Sequence, residues 1–166
     1  MHIYFASDFH LGIDHKASAK EREARVVRWL QSIEGHATQL YLVGDLFDFW
    51  FEYKKAVPRG YIRFLGQLAR MRDNGLTIEV FTGNHDMWMF DYFKQELGIK
   101  IYKKPQHFLI NNKKFFVHHG DGLGSPEVFY RFIKFFFNGK VSQWMFARLH
   151  PNLGFWIANT WSKKSR

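Results

Sequence analysis

The sequence predicts a layered α/β fold, with a parallel sheet and helices packed on its faces, and three observations support that class. Short apolar runs alternate with helical patterns over the first 120 residues, four of those runs end in polar clusters, and the alternation stops at Gly124. With 166 residues, 46% of them apolar, and 19 Phe, 7 Tyr and 6 Trp, the chain can bury a sizeable core, which excludes disorder.

The elements follow in order. Residues 3–6 form a compact apolar strand. Residues 17–35 place Val26, Val27, Leu30 and Ile33 at helical spacing, with Gly35 as a stop. A strand at 40–43 precedes a helix over about 59–73, built on Ile62, Leu65, Leu68 and Met71 and closed by Asn74-Gly75. Residues 77–81 are the third strand and 90–97 a short helix. Strands follow at 99–102, at 107–110 and, across the turn Asn111-Asn112, at 115–118. Beyond Gly124, Ser125-Pro126-Glu127 opens a helical region broken at Asn138-Gly139 and Pro151. We therefore expect a core over residues 1–124 and a basic, aromatic helical insert over 125–166.

Composition removes whole classes of function. Cysteine is absent, so disulfides, thiolate metal sites and cysteine nucleophiles are excluded. The longest apolar stretch, residues 40–51, is interrupted by Asp45 and Asp48 and falls short of the roughly 20 residues of a membrane span. The first seven residues show no basic region ahead of an apolar one, which points to the cytoplasm. The net charge of +9 is unevenly spread. Residues 100–166 hold 12 Lys+Arg against 2 Asp+Glu, whereas residues 1–99 hold 12 against 13. A basic, aromatic C-terminal part suits nucleic acid, acidic lipid or a phosphorylated amphiphile, and equally a solvated face over an aromatic core.

The chemistry lies where the strands stop. The four clusters are Asp8-Phe9-His10, Gly44-Asp45-Leu46-Phe47-Asp48, Gly83-Asn84-His85-Asp86 and His118-His119-Gly120-Asp121. Ligands of open α/β sheets bind beyond the carboxyl ends of the strands, where such clusters converge. Carboxylates, imidazoles and an amide oxygen, without sulfur, suit Mn²⁺, Fe²⁺, Zn²⁺ or Mg²⁺. Two such ions need a bridging carboxylate, and Asp45 is the natural candidate.

These four blocks, in this order, resemble the calcineurin-like metallophosphoesterases, whose motifs run D-x-H, G-D-x-x-D, G-N-H-D/E, a His before Gly-Asp, and G-H-x-H. The resemblance implies a β-sandwich flanked by helices. Within the superfamily, Asp8 to Leu11, Gly44 to Trp50, His119 to Leu123 and the basic aromatic insert resemble the UDP-2,3-diacylglucosamine diphosphatases of bacterial lipid A synthesis. Carried over by motif, Asp8 and His10 hold one metal ion, Asp45 bridges, and Asn84 and His119 hold the second, with Mn²⁺ favoured. Asp48, Asp86 and Asp121 orient ligands and loop amides. Asn84 and His85 are the catalytic candidates, His85 stabilising transition-state charge or protonating the leaving oxygen. Asn84, His85, Glu127, Ser162, Lys163 and Lys164 are the substrate-binding candidates, Glu127 also suiting a helix N-terminus.

The resemblance implies an anionic acylated nucleotide-sugar substrate, a helical lid that receives acyl chains, and a place on the cytoplasmic face of the inner membrane. It names no protein partner. A dinuclear nuclease or nucleotide phosphodiesterase, with the basic segment as its phosphate surface, is the alternative reading; a non-catalytic module is disfavoured by the intact ligand set. Two departures stand out. His85 occupies a position where the best-known diphosphatase branch has Arg. The G-H-x-H block is missing, since His150 in Leu149-His150-Pro151 does not match it. We therefore expect the chain to stop short of the last strands and, taken alone, to bind metal weakly and unevenly.

Overall fold

A computed structural model describes residues 2–13, 18–121 and 139–164. Four parallel strands, β1 (His2–Ala6), β2 (Ala37–Val43), β3 (Thr77–Phe81) and β4 (Lys100–Tyr102), lie in sequential order in one sheet. The crossovers are α1 (Ala19–Glu34), α2 (Ile62–Asp73) and α3 (Tyr92–Leu97). An antiparallel hairpin, β5 (Gln106–Ile110) and β6 (Lys113–Val117), follows, and then α4 (Lys140–Phe146) and α5 (Pro151–Lys164).

The period of two along each strand divides the core between two faces. Leu40 and Leu42 of β2 and Ile78 and Val80 of β3 pack with Leu30, Phe64, Leu68, Met71 and Phe93 from the three crossover helices. The alternate residues Tyr41 and Phe81 face the other way and pack with Val117, Phe108 and Ile110 of the hairpin. Helices thus cover one face and the hairpin the other.

Local chemistry sets the boundaries. Ser18 caps α1 in a capping box: its hydroxyl accepts from the Glu21 amide at 3.2 Å, and the Glu21 carboxylate accepts from the Ser18 amide at 2.9 Å. The second helix starts at Ile62, later than the expected 59, because Gly60 (φ +102°) and Tyr61 (φ +60°) hold left-handed backbone. Tyr61 offers α2 no side-chain cap, and Glu23 of α1 accepts from the Arg63 and Phe64 amides instead, each at 3.1 Å. β2 begins at Ala37, ahead of the expected 40, because Ala37 and Gln39, outside the apolar run, pair with His2 and Ile3 of β1. The hairpin turns on Asn111 (φ +49°) and Asn112 (φ +61°), as a two-residue loop with both central residues left-handed requires. His118 lies past the end of β6, in the loop that enters the site.

Candidate metal centre

Because β1, β2 and β3 run parallel, their carboxyl ends open at one edge and bring residues 8–10, 44–48 and 83–86 together. The first two exits are zipped by backbone hydrogen bonds: the Asp8 amide donates to the Gly44 carbonyl at 3.1 Å, the His10 amide to Asp45 at 3.0 Å and the Leu11 amide to Leu46 at 2.9 Å. The chain must twist sharply to make these bonds, and Asp8 (φ +59°), His10 (φ +44°) and Asp45 (φ +52°) all take left-handed backbone. Non-glycine residues rarely do so, and such strain concentrates at functional sites.

Two glycines make the close approach. A Cβ on Gly83 would sit 2.5 Å from the Asp45 amide nitrogen and meet its carboxylate. One on Gly44 (φ +80°) would lie 2.6 Å from His119 Nδ1. Asp86, fully buried, ties the same loops together from below, accepting from the Leu46 and Gly83 amides at 2.7 Å each. Burial and the neighbouring Asp45 charge push its carboxyl up to about 6, against the pull of the amides it accepts from.

Six ligand-type side chains result, in two triads. Asp8, Asp45 and His119 bring one ligand atom each to within 4.8 Å of one another, and so do His10, Asp48 and His85. Asp45 Oδ2 links the two, 3.3 Å from His119 Nε2 and 3.8 Å from His10 Nε2, while its Oδ1 accepts from the His85 amide at 2.9 Å. Burial opposes the Asp45 charge, yet the His119 hydrogen bond, the His85 amide and the nearby imidazoles hold its carboxyl below the usual range. The hydrogen bond to Asp45 raises His119 to about 9, against burial and with help from the Val43 carbonyl. That carbonyl lies 2.9 Å from His119 Nδ1, which leaves Nε2 aimed into the cluster. His85 Nδ1 is held 2.9 Å from the Asp48 carbonyl, and burial lowers the His85 pKa.

The grouping by distance differs from the motif-based expectation: Asp8 falls with Asp45 and His119, and His10 falls with Asp48 and His85, although the motifs put Asp8 and His10 on one ion. His10 lies within 4 Å of Asp8, Asp45 and Asp48 alike, and the largely buried Asp48 carboxylate stands 3.7 Å from His10 Nδ1 and 3.8 Å from His85 Nδ1. Asp48 therefore takes a place among the ligand-type groups and not only behind them. Asn84 is half-buried between Gly83 and His85 at the same loop. His118 turns away: it accepts from the Gly120 amide through Nδ1 at 2.9 Å and brings Nε2 to 3.7 Å from Asp121. Glu127 lies outside the described residues; Ser162, Lys163 and Lys164 form the last turn of α5.

Glu52 has no counterpart among the sequence expectations. Buried, it accepts from Trp50 Nε1 at 3.0 Å and from the amides of Phe90, Asp91 and Tyr92 at 2.7, 2.7 and 3.1 Å. Its carboxylate anchors the aromatic loop after β2 to the start of α3. The available signal was a lone acid inside the aromatic run from residue 49 to 53. That loop also receives the C-terminal helices: Phe146 packs 4.7 Å from Phe51 and 4.8 Å from Trp88, and Phe155 5.7 Å from Phe49. Among the described residues, no helix is long and apolar enough to cross a membrane.

No protein-family model matches the chain. It is 39% identical over 165 residues to a protein of Porphyromonas gingivalis named UDP-2,3-diacylglucosamine hydrolase, covering 99% of the chain and 63% of that relative. Proteins of the same name match from Haemophilus influenzae, 31% identical over 74% of the chain and 49% of the relative, and from Nitrosococcus oceani, 29% over 79% and 50%. The chain thus spans only part of the length of these relatives. Over nearly its whole length it is a homologue of proteins named UDP-2,3-diacylglucosamine hydrolase.

Proposed function

We propose that the full-length protein hydrolyses the pyrophosphate of UDP-2,3-diacylglucosamine to UMP and 2,3-diacylglucosamine 1-phosphate, a step of lipid A synthesis, with two divalent ions. The observation that carries this reading is the convergence of four motif-bearing loops on two linked triads of oxygen and nitrogen donors. The names of the relatives supply the substrate.

The donor set fits the ions. It contains no sulfur, and among the described residues His10 Nδ1 is buried with no hydrogen-bond partner, a state that a bound cation would relieve. Asp8, His10, Asp45, Asn84 and His119 would hold the pair, Mn²⁺ favoured, with Asp48 beside His10. When bound, such ions lower the pKa of water toward neutrality and polarise phosphoryl oxygens. The chain's own part is to preorganise. Val43 fixes the His119 ring, Asp86 fixes the loop amides around Asp45, and Gly44 and Gly83 let the loops close on one another. His85, whose ring is held by the Asp48 carbonyl, is the group that would stabilise transition-state charge or protonate the leaving oxygen.

The division into a core over residues 1–124 and a lid over 125–166 belongs to the same proposal, as does a sandwich completed around the hairpin. The contacts of Phe146 and Phe155 with the aromatic loop support a lid. On α4 and α5, Val141, Trp144, Met145, Leu153 and Trp156 are exposed, a surface suited to acyl chains or a membrane face. Glu127, Ser162, Lys163 and Lys164 remain the proposed lid-side substrate contacts. The test is UMP release from UDP-2,3-diacylglucosamine by the full-length protein with and without added Mn²⁺. Release that depends on the metal supports the proposal, and its absence under both conditions removes it.

A further inference from the structure

Two buried carboxylates join the loop after β2 to the loop after β3, one from each side. Asp86, on the second loop, accepts from the Leu46 amide of the first and from Gly83 within its own. Glu52, on the first loop, accepts from the Phe90, Asp91 and Tyr92 amides of the second at 2.7, 2.7 and 3.1 Å, and from Trp50 Nε1 within its own at 3.0 Å. Neither carboxylate belongs to the two ligand triads. In each loop the ligand-type residue falls between the two fastenings: Asp48 between Leu46 and Glu52, His85 between Gly83 and Phe90. The two meet there, with the Asp48 carbonyl 2.9 Å from His85 Nδ1.

Backbone pairing alone holds the far end of these loops weakly. The Trp50 amide donates to the His85 carbonyl at 3.3 Å and the Glu52 amide to Trp88 at 3.4 Å, longer than the roughly 2.7–3.2 Å of a good N–H···O bond. The Glu52 carboxylate makes the short bonds, and hydrogen bonds to a charged acceptor are about twice as strong as neutral ones. Lys103, just past β4, supplies opposite charge: burial lowers its pKa, and the Glu52 carboxylate draws it back up. Glu52 lies four positions after Asp48, and Phe90 five after His85. Such short spans cannot absorb a shift at the far end before it reaches the ligand-type residues.

We infer that Glu52 is a positioning residue of the metal centre: by fastening the far ends of the two loops, it holds Asp48 and His85 at the spacing that metal binding needs. This rests on the metal-centre reading above and adds to it a group outside both ligand triads. Mn²⁺ binding by the full-length protein is measured calorimetrically, well below its melting transition, together with that transition and with UMP release from UDP-2,3-diacylglucosamine. Glu52→Ala should bind Mn²⁺ about tenfold or more weakly, as when the partners that orient metal ligands are lost. Glu52→Gln, which keeps one oxygen for the three amides, should recover most of the affinity. Glu34→Ala is the control. Glu34 also accepts from three donors, on Gln67, Arg70 and Asn74, but it joins α1 to α2 and the turn after it, so its loss should lower the melting temperature and leave Mn²⁺ affinity unchanged. A folded Glu52→Ala protein with wild-type Mn²⁺ affinity overturns the inference. So does a Glu34→Ala protein that loses as much affinity, because the effect would then be one of stability alone. Should Glu52→Ala not fold, Glu52→Asp, whose carboxylate is one methylene short of the α3 amides, is read by the same criteria. If the wild type binds Mn²⁺ but releases no UMP, the substrate reading falls, and the comparison of affinities still decides the role of Glu52.

Discussion

Asp8, His10 and Asp45 each hold a backbone conformation that costs about 1–3 kcal/mol for a residue with a Cβ. The strain persists because the two exit loops are hydrogen-bonded to one another and because Asp86 grips the Leu46 and Gly83 amides from beneath. Replacing Asp86 by Ala leaves buried donors without an acceptor, and we predict a loss of about 2–4 kcal/mol in urea unfolding. Gly83→Ala tests the other side of the arrangement. Its Cβ would meet backbone at Asp45, which cannot give way as a flexible side chain can, so Asp45 must move. Calorimetry with Mn²⁺ should show at least tenfold weaker binding by G83A, while far-UV circular dichroism stays close to that of the wild type. The motif residues were legible in the sequence because each cluster follows an apolar run. Their grouping was not, since spacing along the chain cannot show that His10 would stand as near to Asp48 as to Asp8.

At the scale of elements, strand and helix order was legible from hydrophobic periodicity, and the errors fall at boundaries set by contacts distant in sequence. β2 starts ahead of its apolar run because β1 lies beside it. The start of α2 is displaced by two left-handed residues and then capped from α1, which no local pattern encodes. The packing of the hairpin against the sheet gives a prediction in pH. Burial first, and the Glu79 carboxylate second, push the Tyr41 phenol from 10.0 up to about 12. The folded state thus favours the neutral phenol: its contribution is complete below pH 10 and is lost as pH rises through about 12. Tyr41→Phe should flatten part of the alkaline decline in melting temperature; an unchanged slope counts against this role. The turn gives a second prediction. Asn111 and Asn112 tolerate left-handed backbone, and Asn112→Val should cost about 1–2 kcal/mol, whereas Asn112→Gly should be nearly neutral in the same unfolding assay.

Across the whole molecule, the parallel sheet places chemistry on one edge, and the charge asymmetry of the sequence has a partial structural counterpart. Lys103 and Lys104 stand by the metal cluster, while α4 and α5 present Trp144, Met145 and Trp156 outward, with the Arg148 guanidinium 3.6 Å from the Trp144 ring. A basic, aromatic half read from composition alone fits many anionic partners. In the structure, the part of it that is described sets two lysines beside the metal-ligand cluster and an apolar surface on the C-terminal helices. In the proposed function Asp45 is the group shared by two ions. Metal content of the full-length protein and of its Asp45→Ala variant, measured after equilibration with Mn²⁺ and gel filtration, tests that most directly. Two ions per chain in the wild type and the loss of both in D45A are predicted; a wild type that holds a single ion, or a D45A protein that keeps two, would contradict the account.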